Sequence, residues 1–358
     1  MENKMAKGIF LTSLKERVGK TTLALGIILN LQQQGKKAGY FKPIGTPKAP
    51  FSNKADPDVG FLQSCSEVPK SPYNVLSPVS IPDCYYVDLV NENKKEQFLK
   101  NIENAYQDVA NEFDYVIIEG APSLKKFIRI GLDDVSIAER IGINKVVYIE
   151  TESSDKGIDN LFFTNKYLEY RNIKMKGILF NKIDQEYFAR IKELKEDHIL
   201  RYDIPIIGII GKVLELMSPR VDEIQAAIGG NLLNESTFSE LGKRVENYLI
   251  GAMGPQEAAK YLRKVKNVAF ITGGDRSDLA LVALNEKVSC LILTGYIEPD
   301  TSVITKATQQ NIPILLSPSD TYTTLRNIER IRPSIKKGEI DLISKMVNEK
   351  IDWDLLLG

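Results

Sequence analysis

Short apolar runs alternate with longer amphipathic stretches along most of the chain. Gly8-Ile9-Phe10-Leu11-Thr12 reads as a buried strand. After a loop over 13–19, residues 20–34 read as a helix, with Leu23, Ile27, Ile28 and Leu31 on one stripe and Gly35 as its stop. Ala38-Gly39-Tyr40-Phe41 predicts a second strand, ended by Lys42-Pro43. A short helix over 58–64 follows. Residues 65–90 hold Pro69, Pro72, Pro78 and Pro82 and read as irregular loop. Residues 94–112 predict a polar-faced helix, and Tyr115-Val116-Ile117-Ile118 a strand that ends at Glu119-Gly120. The pattern continues as helix 133–141, strand 145–150, helix 157–171, strand 176–180, helix 185–198 and strand 205–210. Strands met in sequence with helices between them predict a mainly parallel sheet covered on both faces. Residues 1–214 are therefore expected to form one doubly wound α/β domain.

Residues 215–265 read as mostly helical, broken at Gly229-Gly230 and Gly251. A shorter alternation follows: strand 268–271, helix 279–285, strand 290–293, helix 300–310, strand 312–316 and helix 321–330. It predicts a smaller α/β domain over 215–335. The tail, 336–358, carries the only tryptophan, Trp353, and is expected to pack as a helix or dock on a partner. A chain of 358 residues agrees with two domains at about 100–200 residues each.

Charge and composition narrow the function. The chain has 47 basic and 47 acidic residues, whereas a general nucleic-acid binder carries a basic excess, so none is expected. Cys65, Cys84 and Cys290 lie far apart with no CxxC, which argues against a zinc knuckle or a disulfide framework and fits a reducing cytoplasm. The single histidine, His198, sits in Lys195-Glu196-Asp197-His198 and reads as a solvated helix residue. Neither Ser-His-Asp hydrolysis nor a multi-histidine metal site fits. The longest apolar run, 204–210, contains Pro205 and Gly208 and falls far short of the roughly 18–20 residues of a membrane span. Met1-Glu2-Asn3-Lys4 lacks the apolar run of a signal peptide.

Val18-Gly19-Lys20-Thr21-Thr22 closes a loop between a strand and a helix. In that context backbone N–H groups and a helix N-terminus point at an anion. Lys20 then reaches the β/γ-phosphates of ATP or another NTP, and the Thr21 hydroxyl holds Mg²⁺. The GxxxxGK[ST] pattern is incomplete, because Leu14 stands where its first glycine belongs. Lys42 lies on the carboxyl edge, where ligands bind in open sheets. Asp56 and Asp58 follow on a loop. Glu119 ends a later strand, where a carboxylate can hold Mg²⁺ directly or through water. Alone, Asp58 or Glu119 reads as a cap or a surface charge; at successive strand ends they are expected to be metal ligands. Asn181-Lys182-Ile183-Asp184 also follows a strand end. It is either a turn with an N-capping Asp184 or a base contact through Asn181, which is the role expected here.

These residues carry several resemblances. The segment from Lys15 to Thr22 resembles the deviant Walker A of SIMIBI-class NTPases, with a signature lysine five residues before the P-loop lysine and then two glycines. Lys15 and Lys20 match, while Glu16 and Arg17 replace the glycines. The resemblance implies a homodimer in which Lys15 reaches the partner's nucleotide; by itself Lys15 reads equally as a solvated loop lysine. Asn181 to Asp184 is similar to the NKxD base-recognition motif of GTPases. Over about residues 6–212, Val18-Gly19-Lys20-Thr21, Phe41-Lys42-Pro43, Asp58 and Glu119-Gly120-Ala121 together resemble dethiobiotin synthetase. That implies ATP and Mg²⁺, with Lys20 and Lys42 as catalytic, phosphate-holding lysines and Thr21, Asp58 and Glu119 at the metal. Ser13 and Pro122 stand where that family has glycines.

Gly274-Asp275-Arg276-Ser277-Asp278, Leu293-Thr294-Gly295 and Ser319-Asp320-Thr321-Tyr322 look like a DRTGG domain, with Tyr296 in place of its second signature glycine. The order of the two domains is similar to the N-terminal regulatory half of long-form phosphotransacetylase, over about residues 6–330. The acetyl-transferring domain of that family has no counterpart within 1–358, and neither has the glutamine amidotransferase domain of cobyrinic acid diamide synthases. A regulatory or sensory ATPase without acetyl transfer is therefore expected. The alternatives are an ATP-dependent ligase or cyclo-ligase of the dethiobiotin synthetase type, and an assembly protein whose nucleotide controls dimerisation. Lys125, Lys126 and Arg129 in the 121–130 loop serve either an anionic substrate or solubility. A second site for a small anionic metabolite or a partner protein is expected near Asp275, Arg276, Thr294 and Asp320. Otherwise Asp275 only caps its helix, and Arg276 only pairs with Asp278 or Asp320.

Overall fold

Six apolar runs of the first unit pair in parallel, because they are buried along nearly their whole length and must hydrogen-bond one another. The computed structural model describes residues 6–46, 56–66, 72–82, 86–88, 90–196, 204–235, 238–331 and 333–358; Cys84 and His198 lie outside the described residues. In chain order the strands of this unit are β1 (Lys7–Thr12), β2 (Ala38–Phe41), β3 (Ile44–Gly45), β4 (Val79–Ser80), β5 (Tyr115–Glu119), β6 (Lys145–Glu150), β7 (Lys174–Ile183) and β8 (Ile206–Gly211). The main sheet runs β2-β5-β1-β6-β7-β8, and β3 pairs with β4 in a small ladder of its own. The order reverses around β1, so the carboxyl end of β1 is a topological switch point, the usual ligand position in open α/β sheets.

Two local expectations are corrected. Residues 65–90 are not wholly irregular: they contain the helix Tyr73–Leu76 and β4, where Val79 aligns with Ile44. The strand expected over 176–180 runs on to Ile183.

The chain divides into Met1–Lys212 with Lys336–Gly358, and Val213–Ile335. The tail is thus part of the first unit. Its helix Ile340–Lys350 lies on the helix Lys20–Gln33, where Leu23, Ala24, Leu25, Ile27, Ile28 and Leu31 are all buried. A helix apolar around most of its circumference needs cover on both sides, and the tail supplies the second. A Cβ at Gly26 would lie 2.4 Å from Val347 Cγ2, so glycine permits the close crossing. Asn30 is buried at the crossing and donates to the Gly26 and Ser344 carbonyl oxygens, at 2.8 and 2.9 Å. Ile351 then adds an antiparallel bridge to Gly208, which covers the edge of β8.

In the second unit, β9 (Asn231–Leu232), β10 (Asn247–Ile250), β11 (Val268–Gly273), β12 (Cys290–Thr294) and β13 (Ile314–Leu316) form a sheet in the order β10-β11-β12-β13-β9. All its pairs are parallel except β13 with β9. β9 and β10 interrupt the region expected to be mostly helical. Phe270 and Leu291 pack on one face of this sheet, Ala269 and Ile292 on the other, so both faces carry a core. Among the described residues no helix is long and apolar enough to cross a membrane.

The tail's packing sets a stability test. Ile343 is fully buried against the first helix. Ile343→Ala is expected to lower the unfolding free energy by about 2–5 kcal/mol, read by urea denaturation. A change within about 0.5 kcal/mol, the range of surface substitutions, would show that the tail adds nothing to the first unit.

Candidate functional site

Gly19 fixes the geometry of the loop after β1. It adopts φ 90°, a left-handed conformation, and immediately precedes the helix Lys20–Gln33. A Cβ there would also lie 2.7 Å from Asn181 Nδ2. No side chain caps this helix, so its first-turn N–H groups remain available to an anion.

Lys20 is buried beneath this loop and donates to Ser13 Oγ at 2.7 Å and to the Pro122 carbonyl oxygen at 2.9 Å. Burial pushes its pKa down, while Asp134 and Glu119 pull it back up. Thr21 Oγ1 donates to Glu119 Oε1 at 3.0 Å, and Tyr40 donates to Glu119 Oε2 at 2.8 Å. Lys42 Nζ lies 2.7 Å from Asp58 Oδ2, 3.0 Å from Asp56 Oδ2 and 3.6 Å from Glu119 Oε1. Burial works against its charge, but Glu119, Asp58 and Asp56 outweigh it and hold the Lys42 pKa above its ordinary value. Burial raises the Glu119 pKa and Lys42 opposes it. The fold thus gathers Lys20, Thr21, Lys42, Asp58 and Glu119, which lie up to 99 positions apart, at one edge of the sheet.

These residues fit a magnesium nucleotide. Mg²⁺ is usually bound by one or two protein oxygens, with substrate phosphates and water supplying the rest. Thr21 and Glu119 offer such a pair. Among the described residues no group of three or more His, Cys, Asp or Glu side chains could hold a metal by itself.

Two residues of the cluster carry no motif. Tyr40 reads as one more strand residue. Asp134 reads as helix-start acid, yet it is buried, accepts from Thr12 Oγ1 at 2.5 Å and the Ala121 N–H at 2.7 Å, and is the leading opposite charge acting on Lys20. Burial pushes its carboxyl up to about 7. The adjacent pair Asp133-Asp134 was the available signal, since Asp133 already caps the helix Asp134–Arg140 and leaves its neighbour unexplained.

Other expected residues sit differently. Lys15 forms an ion pair with Glu152 of its own chain, and this partner depresses the Glu152 pKa. Asn181 lies within β7 and donates to the Val18 carbonyl oxygen at 2.7 Å, bracing the loop, while Lys182 takes the left-handed turn at φ 57°. Val18 is buried; Thr22 is half-buried in the first helical turn. Lys125 and Arg129 are exposed, and Lys126 lies over the Tyr86 ring.

In the second unit the strand ends do converge. The Gly274 N–H reaches the Thr294 carbonyl oxygen at 3.3 Å, and Thr294 Oγ1 lies 2.8 Å from Thr321 Oγ1. Yet Arg276 pairs with Asp278, Asp320 caps the helix Thr321–Glu329, and Asp275 is exposed. Arg276 and Asp320 are thus held by local structure.

Comparison with known proteins agrees with this architecture. Residues 7–220 match the family model of an AAA domain, and residues 223–331 that of a DRTGG domain. The chain is similar to a phosphate acetyltransferase of Pseudomonas aeruginosa, 23% identical over 363 residues, covering 95% of this chain and 50% of that protein. It spans about half the length of the curated relatives it matches. Among solved structures it is similar to cobyrinic acid a,c-diamide synthase from Mycobacterium smegmatis with bound ADP and magnesium, at 17% identity and a TM-score of 0.36, covering 58% of this chain and 88% of that one. It is also similar to the CBS and DRTGG domains of the Clostridium perfringens pyrophosphatase regulatory region complexed with diadenosine tetraphosphate, at 23% identity and a TM-score of 0.28, covering 37% and 55%.

The raised Asp134 pKa gives a pH test. Unfolded, this group titrates near 3.8; folded, near 7. The folded state therefore holds the extra proton between those values, and Asp134's contribution to stability, full below 3.8, is lost as pH rises through about 7. Asp134→Asn removes this dependence, so the variant should gain stability relative to wild type from pH 5 to pH 8 in urea titrations. A stability difference independent of pH over that range would contradict the assignment.

Proposed function

The chain belongs to the AAA domain family matched over residues 7–220, and from that premise we propose that it is a magnesium- and ATP-binding regulatory or sensory ATPase. One observation carries the reading: Lys20, Thr21 and Glu119 meet beneath a left-handed Gly19 at an uncapped helix N-terminus. The DRTGG domain over 223–331 serves as the responding unit. Acetyl transfer, named in the relatives, is not part of this proposal.

In this reading Lys20 exchanges Ser13 and the Pro122 carbonyl for phosphate oxygens. Its burial makes each charge-assisted bond stronger than in water. Lys42, held charged by three carboxylates, supplies a second cation to the phosphates. Bound Mg²⁺ would neutralise phosphate charge, with Thr21 and Glu119 as its protein ligands and Asp58 near it. Asn181 acts through the loop it braces. The second reading, an ATP-dependent ligase, draws on Lys125 and Arg129, which are exposed beside the site loop and able to meet an anionic substrate.

Lys20→Ala should weaken Mg-ATP binding by about 1.5–3 kcal/mol, roughly 10- to 150-fold, by isothermal titration calorimetry. Unchanged affinity would overturn the assignment. We further propose a nucleotide-strengthened homodimer in which Lys15 leaves Glu152 for the partner's nucleotide. Light scattering should then show a shift toward dimer with ATP in wild type that Lys15→Ala loses. A monomer with and without ATP would reject it.

A further inference from the structure

The amino-terminal edge of the six-stranded sheet holds a second concavity, a cavity of about 290 Å³. It is lined by the start of β1, by Tyr115 at the start of β5, by Lys145 at the start of β6 and by Lys176 on β7. β1 has six residues, so its two ends lie about 20 Å apart and this cavity is remote from the phosphate loop. The tail residues 356–358 close one side.

Three lysines, Lys7, Lys145 and Lys176, line this one cavity. Among the described residues no Asp or Glu side chain lines it, and at most one negative group, the carboxyl of Gly358, faces three positive ones. Lys7 Nζ donates to the Leu357 carbonyl oxygen at 3.3 Å, and Lys176 Nζ donates to an oxygen of that Gly358 carboxyl at 3.2 Å. Burial lowers the Lys176 pKa, and Lys145 and then Lys7 lower it further, so the like charges are close enough to act on one another. Surface lysines with room to spread avoid such repulsion. Here the strand starts hold the three backbone positions side by side. Asn144 and Tyr115 add neutral polar groups to the wall.

We propose that this cavity binds a compact dianion, with Lys7, Lys145 and Lys176 as its charge-assisted donors. A phosphate group and a small dicarboxylate share that chemistry. Neither needs the phosphate loop, so the site is independent of the nucleotide reading above.

The test is a calorimetric titration of the full chain, at low ionic strength, with inorganic phosphate in one arm and succinate in the other. At least one anion should saturate a site that survives Lys20→Ala, which separates it from the phosphate loop. Lys145→Gln and Lys176→Gln should each weaken that site at least tenfold. Lys145 is exposed, so Lys145→Gln carries the test if the half-buried Lys176→Gln fails to fold. Saturation by phosphate alone assigns a phosphorylated ligand, by succinate alone a dicarboxylate, and by both a dianion without further choice. The proposal is overturned if neither anion binds, if binding disappears with Lys20→Ala, or if folded Lys145→Gln binds as wild type does.

Discussion

A buried carboxylate at the end of β5 organises the carboxyl edge of the first unit. Glu119 is 5% exposed, and β5 lies between β1 and β2 in the sheet. An ionised carboxylate there costs several kcal/mol unless hydrogen bonds and an opposite charge answer it. Tyr40 from β2, Thr21 from the first helix and Lys42 from the end of β2 do so together. The same contacts tie the phosphate loop, the second strand and the central sheet to one point. Lys42 is then itself neutralised by Asp56 and Asp58, and Asp56 caps the next helix. A ligand entering here must exchange its own charges for those already paired.

Much of this was legible in the sequence. The alternation of apolar runs and amphipathic stretches yields the parallel strands of the first unit, because strands buried on both faces must be continuously apolar. Lys20 and Thr21 were legible from the Val18-Gly19-Lys20-Thr21 loop between a strand and a helix, and Lys42 and Glu119 because they stand at strand ends, which share an edge in one parallel sheet. Tyr40 was not, because its role depends on burial beside Glu119, of which spacing along the chain carries no sign, and for Asp134 the doubled Asp133-Asp134 was the one signal in the sequence. The length of β7 was also missed. Its last residues, Asn181-Lys182-Ile183, are polar enough to read as a turn, yet Asn181 is buried by its bond to the phosphate loop.

The tail shows the opposite case. Residues 340–350 repeat apolar positions at helical spacing, but their partner lies more than 300 positions earlier. The clue was on the partner: Ala24, Leu25 and Gly26 extend the apolar surface of the first helix well beyond the stripe through Leu23 and Ile27. A face that wide needs two neighbours, and only one is the sheet. In the second unit, β9 and β10 were hidden by shortness, with two and four residues, and by the half-buried character of β10.

The central claim is that the carboxyl edge around Gly19, Lys20, Thr21 and Glu119 is a magnesium-nucleotide site. Its most direct test is a crystal structure of the chain with Mg²⁺ and a non-hydrolysable ATP analogue. The β- and γ-phosphates are expected on Lys20 Nζ and the first-turn N–H groups, with the metal bound by Thr21 Oγ1 and the Glu119 carboxylate directly or through water. A nucleotide seated elsewhere, or Lys20 still bonded to Ser13 and Pro122 with saturating analogue present, would contradict it.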